Sequence, residues 1–174
     1  PETLLDKVKQ KIILFDGQQS RFIYQNIAQN TITIQGMAGT GKTELLLHKL
    51  KDVYSSENES VIAFTCHNKV LANDMRRRIP QFFNFMRVEE QIEWDSRLFV
   101  FSSWVSEYDS TSGLYSYICN KYKISFSKYR DNHDFNVLCK NALDELNQLN
   151  DFEPCFDYVF IDESQDFKDG FFEL

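Results

Sequence analysis

Eight residues carry the strongest chemical signal in this chain. Gly36-Met37-Ala38-Gly39-Thr40-Gly41-Lys42-Thr43 follows the spacing G-x-x-x-x-G-K-[ST]. Glycines at such spacing let backbone N–H groups approach phosphate oxygens, and a helix starting at the end of the run adds partial positive charge. Gly36, Ala38, Gly39, Thr40 and Gly41 are therefore the candidate phosphate cradle. Lys42 is expected to reach the β- and γ-phosphates, and the Thr43 hydroxyl to ligate magnesium. A glycine-rich turn that binds nothing is the plainer alternative.

A second signal lies far downstream. Asp162-Glu163-Ser164-Gln165-Asp166 follows the apolar run Tyr158-Val159-Phe160-Ile161 directly. A carboxylate at the C-terminal end of a strand stands on the edge where open α/β sheets bind ligands. Asp162 is expected to hold magnesium, Glu163 to orient or deprotonate an attacking water, and Gln165 to sense the γ-phosphate or that water. The same pentad also fits an acidic helix start in which Asp162 or Ser164 is a cap.

The elements that must position these groups read as follows. Residues 4–14 look like a short amphipathic helix or an approach segment, and Asp16 opens a helix to about Gln29, with Gln19 at the reciprocal position of a capping box. Residues 31–36 read as a buried β-branched strand, and roughly 42–55 as a helix with Leu46, Leu47 and Leu50 on one side. Residues 61–65 are a second strand. Leu71, Met75 and Ile79 mark a helix over 69–79 that Pro80 is expected to stop. Residues 81–96 are aromatic and irregular. A third strand covers 98–101, a broken helix lies within 104–122, a helix covers 135–149 and a fourth strand 158–161. Strands alternating with helices imply a parallel α/β sheet.

The totals bound the class. At 174 residues with 43% hydrophobic content, 16 Phe and 8 Tyr, the chain is one globular domain with an aromatic core. No apolar run is long enough to span a membrane. Cys66, Cys119, Cys139 and Cys155 are widely spaced and read as reduced thiols of a cytoplasmic protein. The net charge of −7 argues against a nucleic-acid binder, but Lys69, Arg76, Arg77 and Arg78 cluster in one segment. That cluster reads either as a phosphate-binding patch or as a solvated helix face. The chain opens on Pro1 rather than Met, so a natural start upstream is expected.

Taken in order, these pieces resemble the first motor domain of UvrD/Rep-type superfamily 1 helicases. Gly36 to Thr43 is similar to the family's Walker A motif, and Asp162 to Asp166 to its motif II, where D-E-x-Q-D is more specific than a bare Walker B carboxylate. Phe15-Asp16-Gly17-Gln18-Gln19 resembles the Q motif, which implies that Gln19 reads the adenine edge. Residues 63–78 resemble motif Ia, and Phe101-Ser102-Ser103-Trp104 the DNA-side motif that follows. The resemblance spans about residues 15–166. It departs from the family at Glu44, where many relatives carry Arg. His67 looks like a one-residue insertion, and Val100 and Ser102 replace the usual Thr and His.

The resemblance implies a RecA-like P-loop domain over residues 1–174, using ATP and Mg2+, with a reduced helical insertion over about 105–155. It implies translocation on single-stranded DNA (RNA is possible), in the 3′-to-5′ sense. Phe64 would stack a base, while Thr65, Asn68, Lys69 and Ser103 would contact the strand. It also implies a second RecA-like domain, absent here, whose arginine finger is worth about 10³–10⁵ in rate. These 174 residues alone are therefore expected to turn ATP over barely. The alternative is a nucleotide-gated regulatory or defence-system ATPase that does not unwind duplex.

Overall fold

The computed structural model describes residues 17–25, 31–35, 40–103, 111–128 and 134–174. Contacts divide the chain into two units, residues 1–56 and 57–174. The readings made on residues 4–14, Phe15, Asp16, Gly36, Ala38, Gly39 and Trp104 lie outside the described residues.

In the first unit, helix α1 spans Gly17–Tyr24 and helix α2 spans Lys42–Ser56. They pack on each other. Helix α2 buries Leu45, Leu47, Leu50, Val53 and Tyr54. The buried stripe thus includes Leu45, whereas Leu46 is only half-buried, a shift of one position from the expected face. Residues 31–35 form no strand. Ile32 is 43% exposed, and only Ile34 of the five is partly covered. β-Branched side chains favour extended backbone, but a strand exists only through a paired neighbour. Among the described residues this segment has none.

The second unit is built on three parallel strands, β1 (Ile62–Cys66), β2 (Leu98–Ser102) and β3 (Tyr158–Ile161), in the order β2-β1-β3. Phe64 is in register with Val100 on one side and Phe160 on the other. Helix α3 (Lys69–Phe85) links β1 to β2 and packs against both. Helices α4 (Leu114–Tyr122) and α5 (Phe135–Leu146) lie between β2 and β3. The chain moves one way across the sheet from β1 to β2 and the other way from β2 to β3. Right-handed crossovers then put α3 on one face and α4–α5 on the opposite face. The α4–α5 face is a continuous core of Ala63, Phe99 and Phe101 with Leu114, Tyr115, Ile118, Leu138, Cys139 and Ala142. Helices therefore flank the parallel sheet, as the α/β reading required.

Pro80 does not stop α3, which continues to Phe85. The proline deprives the Arg76 carbonyl of its helical partner. The buried row Ala72, Met75 and Ile79 nevertheless continues beyond it to Phe83, and that packing holds the last turn in place. Asn68 starts the helix, its Oδ1 accepting from the Leu71 N–H at 3.0 Å. Asp134 caps α5 in the same way through the Asn136 N–H. Beyond β3, a 3-10 turn (Ser164–Asp166) leads to the short helix α6 (Asp169–Glu173), which packs on α5.

Candidate nucleotide and nucleic-acid sites

In the first unit the described half of the phosphate loop has the backbone its sequence demands. Gly41 has φ of 80°, which an L side chain rarely adopts. Its carbonyl accepts the first bond of α2, from the Leu45 N–H at 2.9 Å. Lys42 and Thr43 therefore occupy the first helical turn, where backbone N–H groups point out of the helix end. Thr40 is exposed, and Lys42 and Thr43 are half-buried. Backbone N–H groups in such a first turn are the type of donor that phosphate oxygens accept from. Gln19 lies within α1, half-buried, beside the exposed Gln18.

In the second unit the strand order creates a reversal between β1 and β3, and the C-terminal edge at such a reversal is where open α/β sheets bind ligands. Asp162 sits there. Its N–H donates to the Thr65 carbonyl at 3.1 Å, continuing the β1–β3 ladder, and its Oδ1 accepts from the Glu163 N–H at 3.1 Å. Glu163 then turns the chain with φ 53° and ψ 47°, the left-handed region unusual for a residue with a side chain. That turn brings the Gln165 amide back onto the Glu163 carboxylate, to which its Nε2 donates. Asp162, Glu163 and Gln165 thus share one turn at the sheet edge. The carboxylates also act on their surroundings. Burial pushes the Cys66 thiol up to about 12, and the charges of Asp162 and Asp74 push it the same way.

The nucleic-acid residues divide sharply. Phe64 has no exposed surface and stacks on Phe160, with centroids 6.3 Å apart and ring planes nearly parallel. It has no face to offer a base, which corrects the stacking expectation. Thr65 is equally buried, and its Oγ1 has no hydrogen-bond partner. Ser103 is 5% exposed, with its hydroxyl donating to the His67 carbonyl at 2.6 Å. Direct strand contacts by Thr65 and Ser103 are corrected with it. The physical cause is that β1 is the central strand with both faces covered, so all five of its residues are buried. Asn68 and Lys69 remain exposed at the start of α3. The basic cluster is largely a solvated helix face. Arg76 pairs with Asp95 at 2.8 Å and lies over the Trp94 ring, and Arg77 pairs with Asp74 at 3.3 Å.

Lys49 escaped the sequence reading, and His67 was read there only as an insertion. His67 packs edge-on against Phe167, just past the Ser164–Asp166 turn, with centroids 5.6 Å apart. Lys49 is 2% exposed and donates to the carbonyls of Ile23 and Gln25 at 2.9 and 2.8 Å. Its signal was present in the sequence: Leu45, Lys49 and Val53 follow one another at intervals of four, which puts a charge in the middle of an apolar row.

The fold and these two loops define a RecA-like α/β domain with a phosphate loop, of the kind that serves as a helicase-like motor. Residues 3–169 match the family described as "Type III restriction enzyme, res subunit", and the chain belongs to that family. No curated protein and no solved structure matches it. Membership makes it an ATPase of the helicase type, a nucleotide-binding hydrolase domain that typically works with Mg2+. Among the described residues no group of three or more His, Cys, Asp or Glu side chains could hold a metal ion. Magnesium at phosphate sites needs only one or two protein oxygens besides the phosphates, and the Thr43 hydroxyl and the Asp162 carboxylate are each, in its own unit, an oxygen donor of the type it takes. Among the described residues no helix is long and apolar enough to cross a membrane.

Proposed function

We propose that this chain is the ATP-driven motor domain of a superfamily 1-type DNA helicase, moving 3′ to 5′ on single-stranded DNA together with a second RecA-like domain. One observation carries the proposal: a D-E-x-Q-D pentad folded so that Asp162, Glu163 and Gln165 share one turn at the sheet edge. The family's name ties it to restriction enzymes, which favours DNA over RNA as the polymer. Residues 1–174 form one motor domain in this reading, with α4 and α5 as the reduced helical insertion within about 105–155.

Each residue has a defined task. Gly36, Ala38, Gly39, Thr40 and Gly41 cradle phosphates through their backbone N–H groups. Lys42 places its ammonium on the β- and γ-phosphates, and Gln19 reads the adenine edge. Thr43 and Asp162 would each offer an oxygen to magnesium, which when bound would neutralise charge on phosphate oxygens. Glu163 orients the attacking water and takes its proton, and Gln165 fixes the carboxylate of Glu163 for that purpose. Asn68 and Lys69 supply contacts to the DNA backbone.

A second reading has specific support. Burial of Phe64, Thr65 and Ser103 removes three of the five residues expected to contact a strand. A nucleotide-gated regulatory or defence-system ATPase needs no such grip. The test has two parts. Fluorescent-ATP titration with Mg2+ should give saturable binding that Lys42→Ala abolishes; binding unaffected by that change refutes the nucleotide site. Strand displacement from a 3′-tailed duplex by the protein, blocked by Glu163→Gln, supports the helicase. ATP turnover without displacement supports the gated switch.

A further inference from the structure

We propose that Lys49 is a positioning residue for nucleobase selection, locking the helix that carries Gln19 to the helix that begins the phosphate site. The proposal rests on the nucleotide-site reading above and extends it to a residue with no direct contact to the nucleotide.

The ammonium of Lys49 has three donors and finds three acceptors: the carbonyls of Ile23 and Gln25, and Asp52 Oδ2 at 3.5 Å. An ammonium buried to this degree is costly unless it is paired and hydrogen-bonded, so the arrangement is fixed rather than incidental. Both carbonyls lie at the C-terminal end of α1. The last carbonyls of a helix lack intrahelical donors there, and the helix dipole favours a cation. Lys49 therefore completes α1.

Helix α1 has only eight residues, too few to be stable without a partner. Its position is set by what holds its end. Lys49 belongs to α2, which starts at Lys42, the residue assigned to the phosphates. A rigid link between these two helices fixes the span from base-reading side chain to phosphate-binding turn. Adenine is selected only if that span matches the nucleotide when Gln19 meets the base edge. With the link cut, phosphates still bind, but Gln19 no longer discriminates between bases.

The experiment compares the affinities of ATP, GTP and inorganic tripolyphosphate, each with Mg2+, for the wild type, Lys49→Met, Lys49→Gln and Gln19→Ala. Thermal melts confirm that each variant is folded. The wild type should prefer ATP over GTP. Lys49→Met, which keeps the length of the stem, should reduce that preference by about tenfold or more, the worth of roughly one positioned hydrogen bond. Gln19→Ala should do the same, and tripolyphosphate affinity should stay within about twofold in all. Lys49→Gln should fall between wild type and Lys49→Met.

Retention of the ATP preference in Lys49→Met overturns the proposal and leaves the nucleotide site standing. An equal loss of tripolyphosphate binding also overturns it, by making Lys49 a general core residue; failure of both Lys49 variants to fold does the same. A wild type that binds tripolyphosphate without preferring ATP removes the adenine role of Gln19 and this proposal with it. A wild type that binds none of the three refutes the nucleotide-site reading itself.

Discussion

Glu163 offers a substitution in which the usual order of stability should invert. In ordinary backbone, Gly is less stable than Ala by about 0.5–1 kcal/mol because it loses more freedom on folding. Glu163 is held at φ 53° and ψ 47°. There a Cβ costs about 1–2 kcal/mol, because it crowds the following carbonyl. Glu163→Ala and Glu163→Gly lose the same carboxylate and the same bond from Gln165, so those losses cancel between them. The difference is the strain relieved by Gly, about 1.5 kcal/mol, less its entropic penalty of about 0.75 kcal/mol. Glu163→Gly should therefore be the more stable by about 0.5–1 kcal/mol. Urea unfolding with linear extrapolation reads this as a shift in midpoint at constant slope. In a thermal melt the gap is about 1–4 °C for a chain of this size. Both variants should lose the small ATP turnover expected of this chain, since strained backbone clusters at functional sites. A Glu163→Ala protein as stable as Glu163→Gly, or more so, would refute the assignment of strain to this turn.

Three further outcomes are expected. In Gly170→Ala the new methyl would stand 2.7 Å from the Asn136 carbonyl oxygen and 2.8 Å from its Oδ1, which accepts the Gly170 N–H. The clash should cost about 1–3 kcal/mol, seen as a lower melting temperature, and an unchanged melt would refute the packing of α6 on α5. Burial holds the His48 imidazole below its ordinary 6.5, with Glu44 opposing and Lys51 adding to the shift. The unfolded chain therefore takes up this proton first, and stability should fall as pH drops through about 6.5, levelling off below the folded value. His48→Gln should flatten that slope, and a slope of equal size in the variant would exclude His48 as its source. Burial raises Cys66 and Cys139 to about 12 and Cys119 to about 11, and raises Cys155 as well. Native protein at pH 8 should react slowly with a disulfide reagent, with the half-buried Cys155 first; fast modification of Cys139 would contradict its burial.

By itself the amino-acid sequence determined the class of chemistry and the run of elements in the second unit. The apolar runs at 61–65, 98–101 and 158–161 became β1, β2 and β3 within a residue or so, because buried parallel strands are short, β-rich and flanked by turns. The phosphate-loop spacing placed Lys42 and Thr43 in a first helical turn, because Gly41 alone tolerates the backbone that leads into it. Tertiary structure decided the remainder. Periodicity reports that a residue avoids water, but not which strand is central, so only the order β2-β1-β3 revealed that Phe64 and Thr65 are enclosed. Pro80 ends a helix by local rules, yet burial of Phe83 one turn later outweighs the lost hydrogen bond. Thr31 to Gln35 have the propensity of a strand and no paired neighbour among the described residues, and pairing is a property of two segments rather than one. Lys49 shows the same limit from the other side. Its charge within an apolar row was visible, but the carbonyls of Ile23 and Gln25 that accept its hydrogen bonds come within its reach only when two helices pack.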